Sequence, residues 1–289
     1  MKKTKIRYKK IFICLLLLVL AVIGIGYAVT AMLSWLSASS AAGTEKAGSV
    51  RYCLFIGLSE GAPQKADSLI LTSINEERQE MYVISLPGNT QIDGQNEKNL
   101  LLRDAYASGG TEGTISAVEN LLHIRIDRYA VFDGMRFSSL IGRLGNTEMY
   151  VEEDMTHTDA SGAEDISLRR GVQELSGADS YGYLRYIDPE EGEIGRIQRE
   201  ERFFKALFAQ AQNHLRVYMW GLVRYYWSAA ATNLTKEEAA SAIYDILGFP
   251  SENIHFVILP GEIRQDGGAA VWDINPVEIQ KVVGLTIDQ

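Results

Sequence analysis

Two arginines, Arg196 and Arg199, lie three residues apart in a segment of helical periodicity that begins near Gly195. At about 100° per residue, they fall on the same side of the helix as Phe203 and Leu207, the side that a helix turns towards a core. A buried guanidinium keeps its charge, and burying it without a partner is costly. The free N–H groups of a helix N-terminus also favour negative charge. The pattern therefore predicts a binding site for an anion such as a phosphate.

Internal ion pairing is a second explanation for the same arginines. Glu200 follows Arg196 by four residues, the spacing at which opposite charges meet on one helix face. Further acids lie shortly before the helix, at Glu190, Glu191 and Glu193. The local sequence leaves both explanations open. Under the first one, Arg185 on the preceding segment would supply a third guanidinium.

The charge of the chain is unevenly distributed. The net charge of its 289 residues is −9, although six basic residues lie within the first ten positions, at Lys2, Lys3, Lys5, Arg7, Lys9 and Lys10. The remaining chain is therefore more acidic than the net charge indicates. Such a body argues against nucleic acid as a partner, because neutralising a phosphate backbone needs a basic surface. A phosphate site must be a local pocket.

An almost unbroken apolar run covers residues 11–33. At about 1.5 Å per residue, a helix of this length crosses a hydrocarbon layer about 30 Å thick. The basic segment at residues 1–10 predicts a cytoplasmic N-terminus, so the rest of the chain is expected outside a cell membrane that it crosses once. A cleaved signal peptide is the alternative, because small residues follow at 38–41. Residues 34–50 are then a linker, and residues 51–289 form one extracellular domain.

The exported part alternates apolar runs of strand length with segments of helical periodicity. Strands are predicted at residues 51–58, 68–75, 80–86, 126–132 and 253–259. Helices are predicted at 99–108, from about 111, at 134–144, from 195, and at 217–231, 236–247 and 276–283. This alternation predicts an α/β fold whose sheet is covered on both faces. The polar stretch around Asp154, Asp159 and Asp165 is predicted to be a surface loop.

Six short segments carry a family resemblance through their order and spacing. They are KADSLILTSIN at residues 65–75, ISLPGNT at 84–90, AYASGG at 105–110, VENLLHIRIDRYAVFD at 118–133, YLRY at 183–186 and GRIQRE at 195–200. Together they resemble the LytR-CpsA-Psr (LCP) family over nearly all of the exported part. The resemblance implies an α-β-α sandwich with a central mixed sheet, in which helices enclose a deep apolar pocket for a polyprenyl chain.

The resemblance also implies a function. It implies a transferase that moves a glycopolymer from a polyprenyl-pyrophosphate carrier to peptidoglycan at the membrane, so the polyprenyl-linked glycopolymer, peptidoglycan and the membrane are the implied partners. Arg185, Arg196 and Arg199 match arginines that bind the pyrophosphate, and Lys65 stands where the family usually has another arginine. Asp67 matches an aspartate that helps to hold Mg²⁺, a hard cation suited to carboxylate oxygen. Asp67, Arg185 and Arg196 form the implied catalytic set.

Several positions differ from the residues that the family usually shows. Gly88 and Asn89 stand where the family has Arg-Asp, while Ile187 and Glu200 stand where it has Arg and Gln. Lys65 cannot bind a phosphate in bidentate fashion. Asn89 lacks a carboxylate charge, although its amide oxygen remains available as a second metal ligand beside Asp67. A catalytically impaired protein of the same fold, which binds polyprenyl phosphate or regulates a partner, is therefore the alternative function.

Overall fold

The computed structural model describes residues 50–92, 100–159, 161–227, 231–266 and 268–287. The expected membrane span at 11–33, the basic segment before it and nearly all of the linker lie outside these residues. Within the described ranges, no helix is both long enough and apolar enough to cross a membrane. The single-pass anchor therefore stays a prediction.

The strands of the described residues form one central sheet and several hairpins. They are β1 Arg51–Leu58, β2 Ala66–Asn75, β3 Glu80–Ser85, β4 Gln91–Ile92, β5 Leu100–Leu101, β6 Arg128–Phe132, β7 Thr147–Val151, β8 Met155–Thr158, β9 Glu164–Leu168, β10 Gly171–Leu175, β11 Ala231–Thr232, β12 Ile254–Ile258, β13 Gly261–Asp266 and β14 Ala269–Ile274. The central sheet has six strands in the order β11-β6-β1-β2-β3-β12. Since β1 pairs with β6 and β3 pairs with β12 in parallel, while β2 is antiparallel to its neighbours, the sheet is mixed. The predicted α/β fold with a central mixed sheet is confirmed.

The helices are α1 Ala105–Leu122, α2 Gly134–Leu144, α3 Gly177–Arg185, α4 Gly192–Gln212, α5 Arg216–Tyr226, α6 Lys236–Ile246 and α7 Pro276–Ile287. The prediction of a helix at 99–108 was wrong for residues 99–104 and right for residues 105–108. Residues Leu102–Asp104 form a 3-10 turn, and α1 begins after it and runs through Gly110, which takes a φ of 59° and kinks the helix. Glycine adopts this positive φ without a steric penalty, so the first helical run ends at the predicted glycines and a second run continues from them.

Helices pack against both faces of the central sheet. One face buries alternate residues of β1 and β2 against α1 and α7, among them Leu54, Ile56, Leu69, Leu71, Val118, Leu122, Ile279 and Val283. The opposite face meets α4, because the Ser68 hydroxyl hydrogen-bonds to Glu200 and the Lys205 ammonium lies 4.9 Å from the ring centre of Phe256. Helix α4 is thereby fixed against the sheet on the side where its arginines point inward.

The stretch around Asp154, Asp159 and Asp165 contains two antiparallel strand pairs, β7 with β10 and β8 with β9. The loop prediction was therefore wrong for Asp165, which lies on β9. Strand β7 shows the reason, since its buried residues Thr147, Met149 and Val151 alternate with exposed polar ones and produce no continuous apolar run. Asp154 and Asp159 lie outside the strands, as expected.

Four strands of the central sheet end at the same edge. Because β1, β3, β6 and β12 run in one direction and β2 runs the other way, the start of β2 lies beside the ends of its neighbours. Glu60 follows β1, Asp67 lies at the start of β2, and Gly88 and Asn89 follow β3. Ligand crevices of open α/β sheets lie at the carboxyl ends of their strands. This edge is therefore where a ligand site is expected.

Candidate functional site

Arg196 on α4 is buried at the sheet edge and bonded on every guanidinium nitrogen. Its Nε donates to Glu193 Oε2 over 3.1 Å, and its Nη2 donates to Glu193 Oε1 over 2.7 Å and to the backbone oxygen of Asp67 over 2.6 Å. Its Nη1 donates to Glu200. The predicted inward orientation is confirmed, with only 4% of the residue exposed. The structure also shows the internal pairing with Glu200 that the helical spacing had left open.

The carboxylate of Glu193 is held by donors from two parts of the chain. Besides the two nitrogens of Arg196, the backbone N–H of Gly88 donates to Glu193 Oε1 over 3.1 Å. Burial on its own would raise the pKa of this carboxyl group, but Arg196 and the Gly88 N–H outweigh it and hold the pKa below its ordinary value. A guanidinium fork with a backbone N–H is also the arrangement that binds phosphoryl oxygens. Glu193 thus occupies an anion-binding position.

Asp67 lies beside this cluster with its side chain exposed at the sheet edge. The surrounding protein nevertheless desolvates the carboxyl group enough to raise its pKa, and Glu193 adds to this, against the lowering effects of Arg196, Arg103 and Lys65. Lys65 itself is paired with Asp104, at 2.7 Å from Nζ to Oδ1. The structure therefore brings Lys65, Asp67 and Arg196 into one electrostatic neighbourhood.

Arg199 is buried one turn further along α4, with 1% of its surface exposed. It donates to Glu191 Oε2 over 3.1 Å and to the backbone oxygen of Tyr186 over 2.5 Å, and its guanidinium lies 5.5 Å from the ring centre of Tyr186. Its Nε is buried and has no hydrogen-bond partner among the described residues. Arg199 therefore has a partner set of its own, separate from that of Arg196.

Arg185, at the end of α3, lies on the side of the site formed by strand β9. It pairs with Asp165 and, at 3.5 Å, with Glu60, and its guanidinium lies 5.3 Å from the ring centre of Tyr181. Asp165 also lies 2.6 Å from Nδ1 of His157. The hydrogen bond from Arg185 is the main cause of the lowered pKa of Asp165. Sequence reasoning missed this partner because it placed Asp165 in a loop.

Tyr181 lies near Arg185, Glu60 and Asp67. Burial and then the negative charge of Glu60 raise its pKa to about 12, with further effects from Arg185 and Asp67.

Helix α3, which carries Tyr181 and Arg185, was not predicted. Its signal is a capping box in which Ser176 and Asp179 bond to each other's backbone N–H groups.

The expected metal ligands are Asp67 and Asn89. The Asn89 amide donates through Nδ2 to the backbone oxygen of Ala270 over 3.0 Å, and its backbone oxygen accepts from the N–H of Trp272 over 3.0 Å. The loop after β3 is thus fixed to β14. Asn89 Oδ1 is buried without a hydrogen-bond partner among the described residues, so an amide oxygen remains free to accept a cation. No cluster of three or more acidic, His or Cys side chains suitable for a metal occurs in the described part.

This donor set suits a weakly held Mg²⁺. Magnesium is usually bound by one or two carboxylates together with substrate phosphates, and dedicated cages made only of protein groups are uncommon for it. Asp67 and Asn89 provide one carboxylate and one amide oxygen, so a bound phosphate would have to complete the coordination.

The model of a known family matches almost all of the described chain. The model of the LytR_cpsA_psr family matches residues 50–286. The chain belongs to the LytR_cpsA_psr (LCP) family. The resemblance inferred from the short segments is thereby confirmed.

This LCP protein is similar in sequence to proteins named as transferases and to one named as a regulatory protein. It is 27% identical over 163 residues to the polyisoprenyl-teichoic acid–peptidoglycan teichoic acid transferase TagV of Bacillus subtilis, covering 53% of this chain and 42% of that protein. It is 24% identical over 198 residues to the transferase TagU of Bacillus cereus, covering 64% and 60%. It is 26% identical over 156 residues to the regulatory protein MsrR of Staphylococcus aureus, covering 53% and 46%. The matches span about half the length of these relatives.

Solved LCP structures share the fold. The crystal structure of Bacillus subtilis TagV superposes with a TM-score of 0.71 at 20% identity, covering 83% of this chain and 98% of that one. The structure described as TagT bound to LIIa-WTA gives a TM-score of 0.68 at 17% identity, covering 86% and 95%. At these identities the likeness establishes the architecture alone.

Proposed function

We propose that this LCP domain transfers a glycopolymer from a polyprenyl-pyrophosphate carrier to peptidoglycan. The observation that carries the proposal is the position of Glu193, whose carboxylate receives the N–H of Gly88 and two nitrogens of Arg196 at the carboxyl edge of the sheet. A phosphoryl oxygen needs the same donors. The transferase names of TagV and TagU support the same substrate class.

The chemistry is a displacement at phosphorus. A hydroxyl group of the acceptor forms a new O–P bond, the bridging P–O bond of the pyrophosphate breaks, and polyprenyl phosphate leaves while the hydroxyl proton passes to a base. Negative charge then develops on the leaving phosphate, and positioned cations stabilise it. Arg196 and Arg185 take this role, with Lys65 and Arg199 helping to hold the pyrophosphate. Asp67 and Asn89 would hold Mg²⁺, which would supply Lewis-acid stabilisation of the charge on the phosphate.

The proposal includes the position of the domain in the cell. Residues 11–33 form a single membrane anchor with residues 1–10 in the cytoplasm, and the domain from residue 51 works outside as an α-β-α sandwich that encloses the polyprenyl chain. Protease added to wall-stripped intact cells should digest the domain. Protection from the protease would contradict this topology.

A second candidate function is binding or regulation without transfer. The observation that favours it is that Arg196, Arg199, Arg185 and Lys65 all have carboxylate partners inside the chain, so their charge is already balanced. The name of MsrR, a regulatory protein, agrees with such a role. A ligand would then have to compete with Glu193 and Glu200 for Arg196.

One assay separates the two candidates. The purified full chain is incubated with lipid-linked glycopolymer, peptidoglycan and Mg²⁺, and released polyprenyl phosphate and bound lipid are both measured by mass spectrometry. A transferase releases polyprenyl phosphate, and Asp67→Asn lowers that release much more than the matched surface variant Asp127→Asn does. Lipid that binds without release favours the regulatory role. Absence of both binding and release contradicts both candidates.

A further inference from the structure

Arg103 reaches the site from the 3-10 turn that precedes α1. Its backbone N–H donates to the backbone oxygen of Gly88 over 2.9 Å, which fixes the turn against the loop after β3. A Cβ atom at Gly88 would lie 3.2 Å from the Cβ of Arg103 and 3.4 Å from Oε1 of Glu193. The side chain of Arg103 therefore begins next to the position that a side chain at residue 88 would occupy.

The positive charge of Arg103 acts on the centre of the site. It is one of the charges that lower the pKa of both Asp67 and Glu193. Glu193 accepts the hydrogen bonds of Arg196 and the Gly88 N–H, and Asp67 lies beside it. Arg103 thus lies near the same two carboxylates as Arg196 although it comes from a different element.

Arg103 differs from the other site cations in its partners. Arg196 is bonded on all of its guanidinium nitrogens, and Lys65 is paired with Asp104. Arg103 forms no ion pair with any residue of the described ranges, and its Nε is buried without a hydrogen-bond partner there. A buried donor that lacks a partner costs free energy until a ligand satisfies it.

We propose that Arg103, whose backbone is bonded to Gly88, is a ligand-binding residue of this site that contacts the pyrophosphate group of a lipid-linked substrate. The inference rests on the proposed function, since it assigns a further residue to the same substrate. A planar guanidinium binds two phosphate oxygens at once, and Arg103 does not have to leave a described carboxylate to do so. Arg196, by contrast, is held by both Glu193 and Glu200.

The test measures binding of geranylgeranyl diphosphate to the full chain in detergent by isothermal titration calorimetry. Arg103→Gln keeps the length and polarity of the side chain but removes the charge, and we expect affinity to fall about 10- to 100-fold. The matched control is Arg125→Gln, because the Arg125 side chain is 87% exposed and pairs only locally with Asp127. Thermal unfolding of each variant shows whether the fold is kept.

Two further variants keep the inference testable if Arg103→Gln does not fold. Arg103→Lys retains the charge without the fork and should give an intermediate loss. The exchange Gly88→Arg with Arg103→Ser moves the guanidinium to the other side of the same space and should recover most of the lost affinity. Gly88→Arg alone should bind no more tightly than the parent, because a side chain at position 88 would start only 3.2 Å from the Cβ of Arg103.

The outcomes separate this inference from the proposed function. If the parent binds the diphosphate and Arg103→Gln or Arg103→Lys binds it equally well, the role of Arg103 is wrong while the proposed function stands. If the parent does not bind the diphosphate at all, the proposed function fails and the inference fails with it. A selective loss in the Arg103 variants, absent in Arg125→Gln, supports the inference.

Discussion

Two arginines of the site make the same kind of contact in different surroundings. The Arg196 side chain is 5% exposed, and its partners Glu193 and Glu200 are 16% and 5% exposed. The Arg185 side chain is 22% exposed, and its second partner Glu60 is 62% exposed. A buried ion pair that loses one member leaves an uncompensated charge, whereas an exposed pair exchanges its partner for water or a ligand. Displacing a partner of Arg196 therefore costs more free energy than displacing a partner of Arg185.

The difference assigns separate tasks to the two sides of the site. Arg196 joins α4 to the start of β2 through the backbone oxygen of Asp67, so the fold itself holds its position. Arg185 is held by β9 and by a residue at the end of β1, and these contacts are easier to exchange. When pyrophosphate binds, we therefore expect the contacts of Arg196 to change little and the contacts of Arg185 to rearrange.

The largest effect is expected from Arg196→Ala. It leaves Glu193 and Glu200 without their buried partner, so we expect the free energy of unfolding to fall by about 3–5 kcal/mol. Urea titration followed by tryptophan fluorescence measures this loss. Arg125→Ala is the exposed control and should change little. A loss below about 1 kcal/mol would show that the Arg196 cluster behaves like a surface pair.

A smaller effect is expected from Glu200→Gln. The amide oxygen can still accept from Arg196 Nη1, and Arg196 keeps Glu193, so the free energy of unfolding should fall by about 1–3 kcal/mol. The same variant should bind geranylgeranyl diphosphate more tightly than the parent, because one competing carboxylate is gone. Calorimetry measures this second effect. A stability loss as large as that of Arg196→Ala would show that Glu193 alone cannot hold the guanidinium.

The pH dependence of Mg²⁺ binding tests the proposed role of Asp67 as a metal ligand. Its pKa is raised, so the protonated form, which cannot bind the metal, persists to a higher pH than for an ordinary aspartate. Mg²⁺ affinity should therefore be full well above the raised pKa and fall by up to about tenfold per pH unit below it. Calorimetric Mg²⁺ titrations of the diphosphate-bound protein at a series of pH values measure the fall. Asp67→Asn should remove this pH dependence, and a dependence that persists in that variant would assign it to another group.

The smallest effect is expected from Asp165→Asn. Because the pair with Arg185 is partly exposed, the thermal midpoint should not change resolvably, while diphosphate affinity rises about two- to fivefold as Arg185 is released. The lowered pKa of Asp165 means that its contribution is present above the ordinary aspartate range and lost as the pH falls through the lowered value. Parent and variant should thus converge in acid. A large loss of stability near neutral pH would show that the Arg185 pair resembles the Arg196 cluster.

The sequence predicted features that depend on local periodicity. The bounds of β1 and α2 match the structure, and the inward direction of Arg196 and Arg199 follows from one turn of helix. It did not predict the strands β7 to β10, because their apolar residues alternate with polar ones and form no continuous apolar run. It also missed Arg103, because its proximity to Gly88 depends on tertiary packing between distant segments. The partners of Arg185 were missed for the same reason.

The attachment of Asn89 to β14 has a consequence for the order in which the chain folds. The contact between Asn89 and Ala270 joins residues 181 positions apart, and the neighbouring Trp272 closes the same loop. During synthesis, the segment after β3 emerges long before the strand that fixes it, and contacts at such separation form late. Until β14 has arrived, the loop that carries the Gly88 N–H lacks the contacts of Asn89 with Ala270 and Trp272. A nascent chain that stops before residue 270 would thus carry all of its arginines but lack a completed site.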